Sequence, residues 1–179
     1  MELVQLSRDL YEAFCDMAAD FARVGDDRYQ QHAAVRGFTE YLVSIERFAD
    51  PETVPEGLVP SYHFFLREDD GTLIGGIRLR LFLTDSLRVE GGHIGYDVRP
   101  SYRNRGYATR MLELVLGKAR ALGMERLLVT CDADNLASGR VIEKCGGRFH
   151  STAQSPWSAK DVCRYWIDLR RWSGQTGAV

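Results

Sequence analysis

The chain has 179 residues, 45% hydrophobic and 27% charged, with a formal net charge of -2 and a pI near 6.1. That length suits one compact domain, and the charge lacks the basic excess of a nucleic-acid binder. No run of about 18 apolar residues is available to cross a bilayer, and Met1-Glu2-Leu3-Val4-Gln5-Leu6 lacks the basic-then-apolar plan of a secretory signal, so a soluble, cytoplasmic protein with no nucleic-acid or membrane partner is expected.

In chain order, Leu10, Phe14, Met17, Ala18 and Phe21 recur at helical spacing behind Ser7, which predicts a helix over residues 7 to 22. Tyr41, Leu42, Ile45 and Phe48 predict a second helix from Thr39 to Ala49, stopped by Asp50-Pro51. A proline-rich loop follows to Pro60. The period then changes to two: a strand from Tyr62 to Glu68, a hairpin turn at Asp69-Asp70-Gly71, and a strand from Leu73 to Leu83. On that second strand Ile77, Leu79 and Leu81 are expected on one face, with Arg78 and Arg80 on a face that is wet or meets a charged neighbour. A third strand is expected from Leu87 to Val98. Its glycines, Gly91, Gly92 and Gly95, suggest a bulge or the close approach of another backbone or a ligand.

The clearest helix runs from Asn104 to Leu122, with Ala108, Met111, Leu112, Val115, Ala119 and Leu122 on one stripe and Gly123 as its C-terminal cap. Arg126 to Cys131 reads as a buried central strand, and Asn135 caps a helix running to Cys145. Strands from Arg148 to Thr152 and Val162 to Leu169 finish the fold, the latter burying Cys163, Tyr165, Ile167 and Leu169; residues 173 to 179 read as a flexible tail. The order β-α-α-β-β-β-α-β-α-β-β predicts a single α/β domain over residues 1–172, a mixed sheet with helices on its faces. Cys15, Cys131, Cys145 and Cys163 show no CxxC spacing and are expected reduced, and His32, His63, His93 and His150 show no metal-ligand spacing, so no metal site is expected.

Val98-Arg99-Pro100-Ser101-Tyr102-Arg103-Asn104-Arg105-Gly106-Tyr107-Ala108-Thr109 joins a strand end to the strongest helix. Unpaired N–H groups in a helix's first turn, aided by its dipole, favour an anion; Gly106 and Ala108 keep the approach open, and Arg103 and Arg105 add positive charge. The bland alternative is two solvated arginines and a glycine that merely starts a helix. A Walker loop would need Gly-Lys followed by Ser or Thr, and a dinucleotide fingerprint Gly-x-Gly-x-x-Gly; neither stands here.

The spacing Arg103-x-x-Gly106-x-Ala108 after Val98-x-Pro100 resembles the pyrophosphate motif of the GCN5-related (GNAT) N-acetyltransferases. Ile94-Gly95-Tyr96-Asp97-Val98 before it, and Asn135-Leu136-Ala137-Ser138 with Lys144-Cys145-Gly146 after it, are similar to the family's further landmarks. The resemblance covers roughly residues 60 to 169 and implies a mostly antiparallel sheet with a splayed central strand, and an enzyme using acetyl-CoA as co-substrate. It implies that Arg103, Asn104, Arg105, Gly106, Tyr107 and Ala108 bind the CoA pyrophosphate through backbone N–H groups. It further implies that Tyr96 and Val98 offer backbone groups to the pantetheine arm and that Asn135 and Ser138 hydrogen-bond it, although a helix cap and a packing residue explain the last two equally well. Lys144 reads better as a solvated charge than as a phosphate contact.

Acetyl transfer to an amine requires a neutral nucleophile, a stabilised oxyanion and a departing thiolate. Glu90, His93 and Asp97 are the candidate bases. The family's usual tyrosine acid corresponds to Ile142 here, so the proton donor is elsewhere, with Tyr165 and Tyr107 as substitutes, or is dispensable. The expected acceptor is an amine of a small molecule or peptide, and the expected assembly a monomer or homodimer. The alternatives are a non-catalytic acyl-CoA-binding regulatory module, and a transferase for a longer acyl group or a hydroxyl acceptor.

Overall fold

The computed structural model describes residues 1–174, so the expected tail lies, from residue 175 on, outside the described residues. In chain order the elements are β1 (Glu2–Val4), α1 (Tyr11–Ala22), α2 (Val35–Ala49), β2 (Ser61–Arg67), β3 (Leu73–Arg80), α3 (Asp85–Val89), β4 (Ile94–Tyr96), α4 (Tyr107–Ala121), β5 (Arg126–Asp132), α5 (Leu136–Lys144), β6 (Arg148–Gln154) and β7 (Asp161–Asp168). Single 3-10 turns stand at Arg8–Leu10, Gln30–His32 and Pro100–Tyr102. The strands form a seven-stranded sheet in the order β1-β2-β3-β4-β5-β7-β6. It is mixed and mostly antiparallel: β1 with β2, β5 with β7 and β6 with β7 run antiparallel, and β4 runs parallel to β5. Two compact units share the chain, Met1–Arg78 with Tyr96–Tyr107, and Leu79–Gly95 with the chain from Ala108 onward.

The first unit is built on the apolar stripe of α1, where Phe14, Met17, Ala18 and Phe21 are buried. Aromatic rings close around Phe14: Phe38 of α2 at 5.1 Å, Tyr29 at 5.6 Å and Phe65 of β2 at 6.2 Å between centroids. Each such ring removed from water contributes about 1.5–3 kcal/mol, which fixes α1 and α2 over the sheet. In the second unit, α4 buries Met111, Leu112, Val115, Leu116 and Ala119, and β5 buries Leu127, Leu128 and Val129 in succession, as a strand covered on both faces does.

The structure corrects several boundaries. α2 begins at Val35, not Thr39, and β3 ends at Arg80. The expected strand from Leu87 to Val98 is instead a short helix followed by a short strand: the Thr84 side chain accepts the Leu87 N–H and caps α3, after which Gly91 and Gly92 turn the chain with φ of 98° and 54°. α4 starts at Tyr107 because Asn104 and Gly106 take left-handed φ values of 61° and 85°, which an α-helix excludes. On β7, Tyr165 and Ile167 are buried as expected, but Cys163 is only half-buried while Val162 takes the interior. All four cysteines are free.

Candidate functional site

The loop between β4 and α4 belongs, up to Tyr107, to the first unit. Asn104 and Gly106 are both left-handed and separated by one residue, a conformation used in the backbone turns that build anion-binding concavities. The first-turn N–H groups of α4 have no acceptor one turn back within the helix. Open space surrounds the position a Cβ would take at Gly106, so its requirement for glycine is conformational, set by φ, and not one of local crowding. Arg103 is exposed and donates from Nε to the Val98 carbonyl at 3.0 Å; the Arg105 guanidinium lies over the Tyr102 ring at 5.2 Å. The Tyr107 hydroxyl, hydrogen-bonded to Glu68, holds its proton above the ordinary phenol value.

What holds this loop is an ion pair that sequence reading missed. Arg99 and Asp20 are both buried, with Arg99 Nε donating to Asp20 at 3.0 Å, while Ser101 donates to the same carboxylate from its N–H at 3.1 Å and its hydroxyl at 2.6 Å. Asp16 adds a second carboxylate 2.8 Å from Arg99 Nη1. Burial raises the Asp20 pKa, but the hydrogen bonds from Ser101 and Arg99 outweigh it and hold the group at about 2. The signal was present in the sequence: Asp20 stands with Met17 and Phe21 on the apolar stripe of α1, where a lone charge needs a partner.

Next to the loop in the chain, Asp97 and Arg99 donate their N–H groups to Gly76 and Ile74 of β3 at 3.0 and 2.8 Å. By strand alternation the backbone groups of Tyr96 and Val98 point away from β3. The Asp97 carboxylate accepts from Tyr29 at 2.9 Å, from the Gly76 N–H at 3.2 Å and from Arg28 at 3.3 Å. Burial nevertheless raises its pKa above the usual carboxylate value, Arg28 and the hydrogen bonds only partly compensating. Burial likewise lifts Tyr29, so its proton stays on the phenol.

In the second unit, β4 sets Ile94 opposite Val129 of β5, and the His93 N–H donates to the Leu128 carbonyl at 2.7 Å. Gly92 is required here, because a Cβ would stand 2.5 Å from that same carbonyl oxygen; the expected close approach is made by protein backbone. His93 is buried, and its Nδ1 accepts the Leu128 N–H at 2.9 Å, which places the proton of the neutral ring on Nε2. Burial, with Arg88 and Arg80 nearby, pushes its pKa down to about 4. In this geometry Nδ1 is engaged by the Leu128 N–H and Nε2 carries the ring proton, so at neutral pH the ring stays neutral with no free acceptor nitrogen. Glu90 differs: its Oε2 is buried and is the single such side-chain atom without a hydrogen-bond partner among the described residues.

Asn135 caps α5, its Oδ1 accepting the Ser138 N–H at 3.0 Å. A cavity of about 230 Å³ in the second unit is lined by Asn135, Gly139, Cys131, Cys163 and Tyr165 among others. Tyr165 reaches it beneath Gly139, where a Cβ would meet its hydroxyl at 3.2 Å, and burial raises its pKa. Ile142 has no exposed surface and packs against Gly147, so the position that would carry the family's acid serves the core. A larger groove of about 830 Å³ lies in the same unit; it is lined by Lys144, Arg148, Trp166 and Trp172 among others and holds none of the candidate catalytic residues.

The fold is that of acetyltransferases. A GNAT-family acetyltransferase from Bacillus anthracis superposes with a TM-score of 0.65 at 17% identity, over 94% of this chain and 95% of that one. A spermidine N-acetyltransferase from Vibrio cholerae, solved with CoA and spermine, gives 0.66 at 13% identity over 95% and 96%. An uncharacterized N-acetyltransferase, YnaD of Bacillus subtilis, is 34% identical over 56 residues, a match spanning 31% of this chain and a third of that relative's length. The family model described as the acetyltransferase (GNAT) domain matches residues 1–148, and the chain belongs to that family.

Proposed function

We propose that the protein transfers an acetyl group from acetyl-CoA to an amine by direct attack on the thioester. The observation that carries the reading is the anchored loop: left-handed Asn104 and Gly106, alternating with Arg103 and Arg105, feeding the N-terminus of α4 in a chain of the GNAT family. On this reading the N–H groups from Arg103 to Ala108 hold the CoA pyrophosphate. Tyr96 and Val98 offer backbone groups to the pantetheine arm as an added strand would, and Asn135 and Ser138 hydrogen-bond it.

The amine nitrogen attacks the acetyl carbonyl carbon, the C–N bond forms, the C–S bond breaks, and the nitrogen's proton passes to a base as the thiolate leaves. Asp97, with its raised pKa, and Glu90, with its unpartnered oxygen, are the bases the reading favours. Tyr165, protonated at neutral pH, is the donor to the thiolate. Because Ile142 offers no acid, the second reading is an acyl-CoA-binding regulatory module.

Calorimetric titration with acetyl-CoA, with ATP and NAD as phosphate-bearing controls, tests the donor: micromolar binding of acetyl-CoA alone is expected, and its absence refutes the reading. Release of free thiol with an amine separates the enzyme from the module. The soluble, cytoplasmic setting and the monomer or homodimer belong to the proposal; among the described residues no helix is long and apolar enough to cross a membrane.

A further inference from the structure

In the first unit Arg99 is buried, Arg67 and Arg78 are half-buried and Arg28 is 46% exposed; all but Arg78 are neutralised, Arg67 by Glu2. Arg99 has Asp16 and Asp20, and Arg28 has Asp26 and Asp97. Arg78, on β3, is half-buried, lies over the Phe48 ring at 5.8 Å and directs Nε at Nε2 of His63. No ion pair among the described residues includes it. Burial is the main influence on the group and lowers its pKa from the ordinary arginine value, with the Tyr41 and Tyr29 phenols opposing it.

A guanidinium taken partly out of water without a counter-ion is unfavourable, and a carboxylate supplied by a ligand would relieve it. With Nε turned to His63, the two terminal nitrogens form the end-on fork that fits one carboxylate with two parallel hydrogen bonds. The surroundings are consistent with a small guest. Tyr41 stacks on His32 at 4.2 Å and stands 6.4 Å from the His63 ring, giving aromatic walls that bring no negative charge of their own at neutral pH. Arg28, the other cation, is taken up by its two carboxylates, so a single unit of negative charge is called for, not a dianion.

We propose that the acceptor amine carries a carboxylate and that Arg78 binds it. The assignment rests on the acetyl-transfer reading and narrows its acceptor from amines in general to amino acids or similar carboxylated amines. A polycationic amine such as spermidine would meet an unneutralised guanidinium and is excluded as the preferred acceptor.

The test is free-thiol release from acetyl-CoA by the unaltered protein, with α-amino acids compared with the matched amines that lack the carboxylate, and with spermidine and phosphoethanolamine alongside. The carboxylated member of at least one pair is expected to exceed its partner by about 100-fold in kcat/KM, the range for removing one side of a buried charge pair. Arg78→Gln is expected to erase that preference through KM while calorimetry finds acetyl-CoA affinity unchanged; Arg78→Lys, which keeps the charge but loses the fork, should retain only part of it. Equal or better turnover of matched amines, spermidine or phosphoethanolamine overturns the proposal. So does a preference that survives in Arg78→Gln, or an absence of turnover with every carboxylated amine in a protein that binds acetyl-CoA. Failure to bind acetyl-CoA removes the acetyl-transfer reading itself. The comparison of matched acceptors needs no variant, so it stands even if Arg78→Gln does not fold.

Discussion

Asp20→Asn tests whether α1 fixes the loop proposed to hold the CoA pyrophosphate. The substitution removes the charge that accepts Arg99 Nε at 3.0 Å and the Ser101 hydroxyl at 2.6 Å. Breaking a buried ion pair by removing one partner costs about 3–5 kcal/mol. Asp16 stays 2.8 Å from Arg99, but it is 62% exposed and compensates only in part, so a loss of about 2–4 kcal/mol is expected. For a chain of this size that corresponds to a fall in Tm of roughly 5–15 °C. A loosened loop should also weaken acetyl-CoA binding by about 10-fold or more, since misplacement on the scale of 1 Å disrupts oriented contacts.

The pH dependence provides a second check. Asp20 has a folded pKa of about 2, below its ordinary value of 3.8. Its contribution is therefore fully present above the unfolded value and disappears as the pH falls through the folded one. The gap in stability between the original protein and Asp20→Asn should narrow from pH 4 to pH 2. Thermal unfolding and calorimetric titration read both effects. A variant with unchanged Tm and unchanged acetyl-CoA affinity would refute the anchoring role.

Gly106→Ala should fold with a penalty of about 1–2 kcal/mol from the left-handed backbone and bind acetyl-CoA more weakly, whereas Gly106→Glu should abolish binding by adding negative charge; calorimetry checks both. His93→Phe removes the acceptor of the Leu128 N–H and should destabilise by about 1–3 kcal/mol, measured by denaturant unfolding. Because His93 titrates near 4 when folded and 6.5 when unfolded, its share of stability is present above pH 6.5 and declines on acidification toward 4, so the stability slope in that window should flatten in the variant. Glu90→Gln and Asp97→Asn separate the two candidate bases: loss of the true base should lower kcat by about 10²–10⁴ with acetyl-CoA affinity intact. If both variants keep full kcat, the assignment of either carboxylate as base is wrong.

The long periodic elements were readable from sequence because burial enforces their period. Met111, Leu112, Val115 and Ala119 of the α4 stripe and the apolar run of β5 appear where expected, though Leu122 is exposed past the helix end and Leu116 takes the interior, and the Arg-x-x-Gly-x-Ala loop pointed to the head of that helix. The segment from residue 85 to residue 98 was not readable, since Thr84 capping a five-residue helix and two left-handed glycines are short-range effects hidden under an alternating pattern. The partners of the site residues were equally hidden. Asp20 lies 79 residues from Arg99, and Tyr29 lies 68 from Asp97. His93 read as a candidate base, and its residue type cannot reveal that a backbone N–H already occupies its nitrogen. Arg78 read as lying on a face that is wet or meets a charged neighbour; the sequence could not show that Phe48 of α2 packs against its guanidinium and half-buries it.

The Arg99–Asp20 pair also governs how far the loop can be transplanted. Residues 98 to 109 form a contiguous stretch that a protein engineer would cut out and graft. Yet the carboxylate that orients Ser101 and Arg99 arrives from α1, nearly eighty positions earlier. The portable module is therefore discontinuous: a grafted loop keeps its shape, and with it any anion affinity the proposed function assigns it, only where the host already presents an acidic side chain at the matching place, or receives α1 with it.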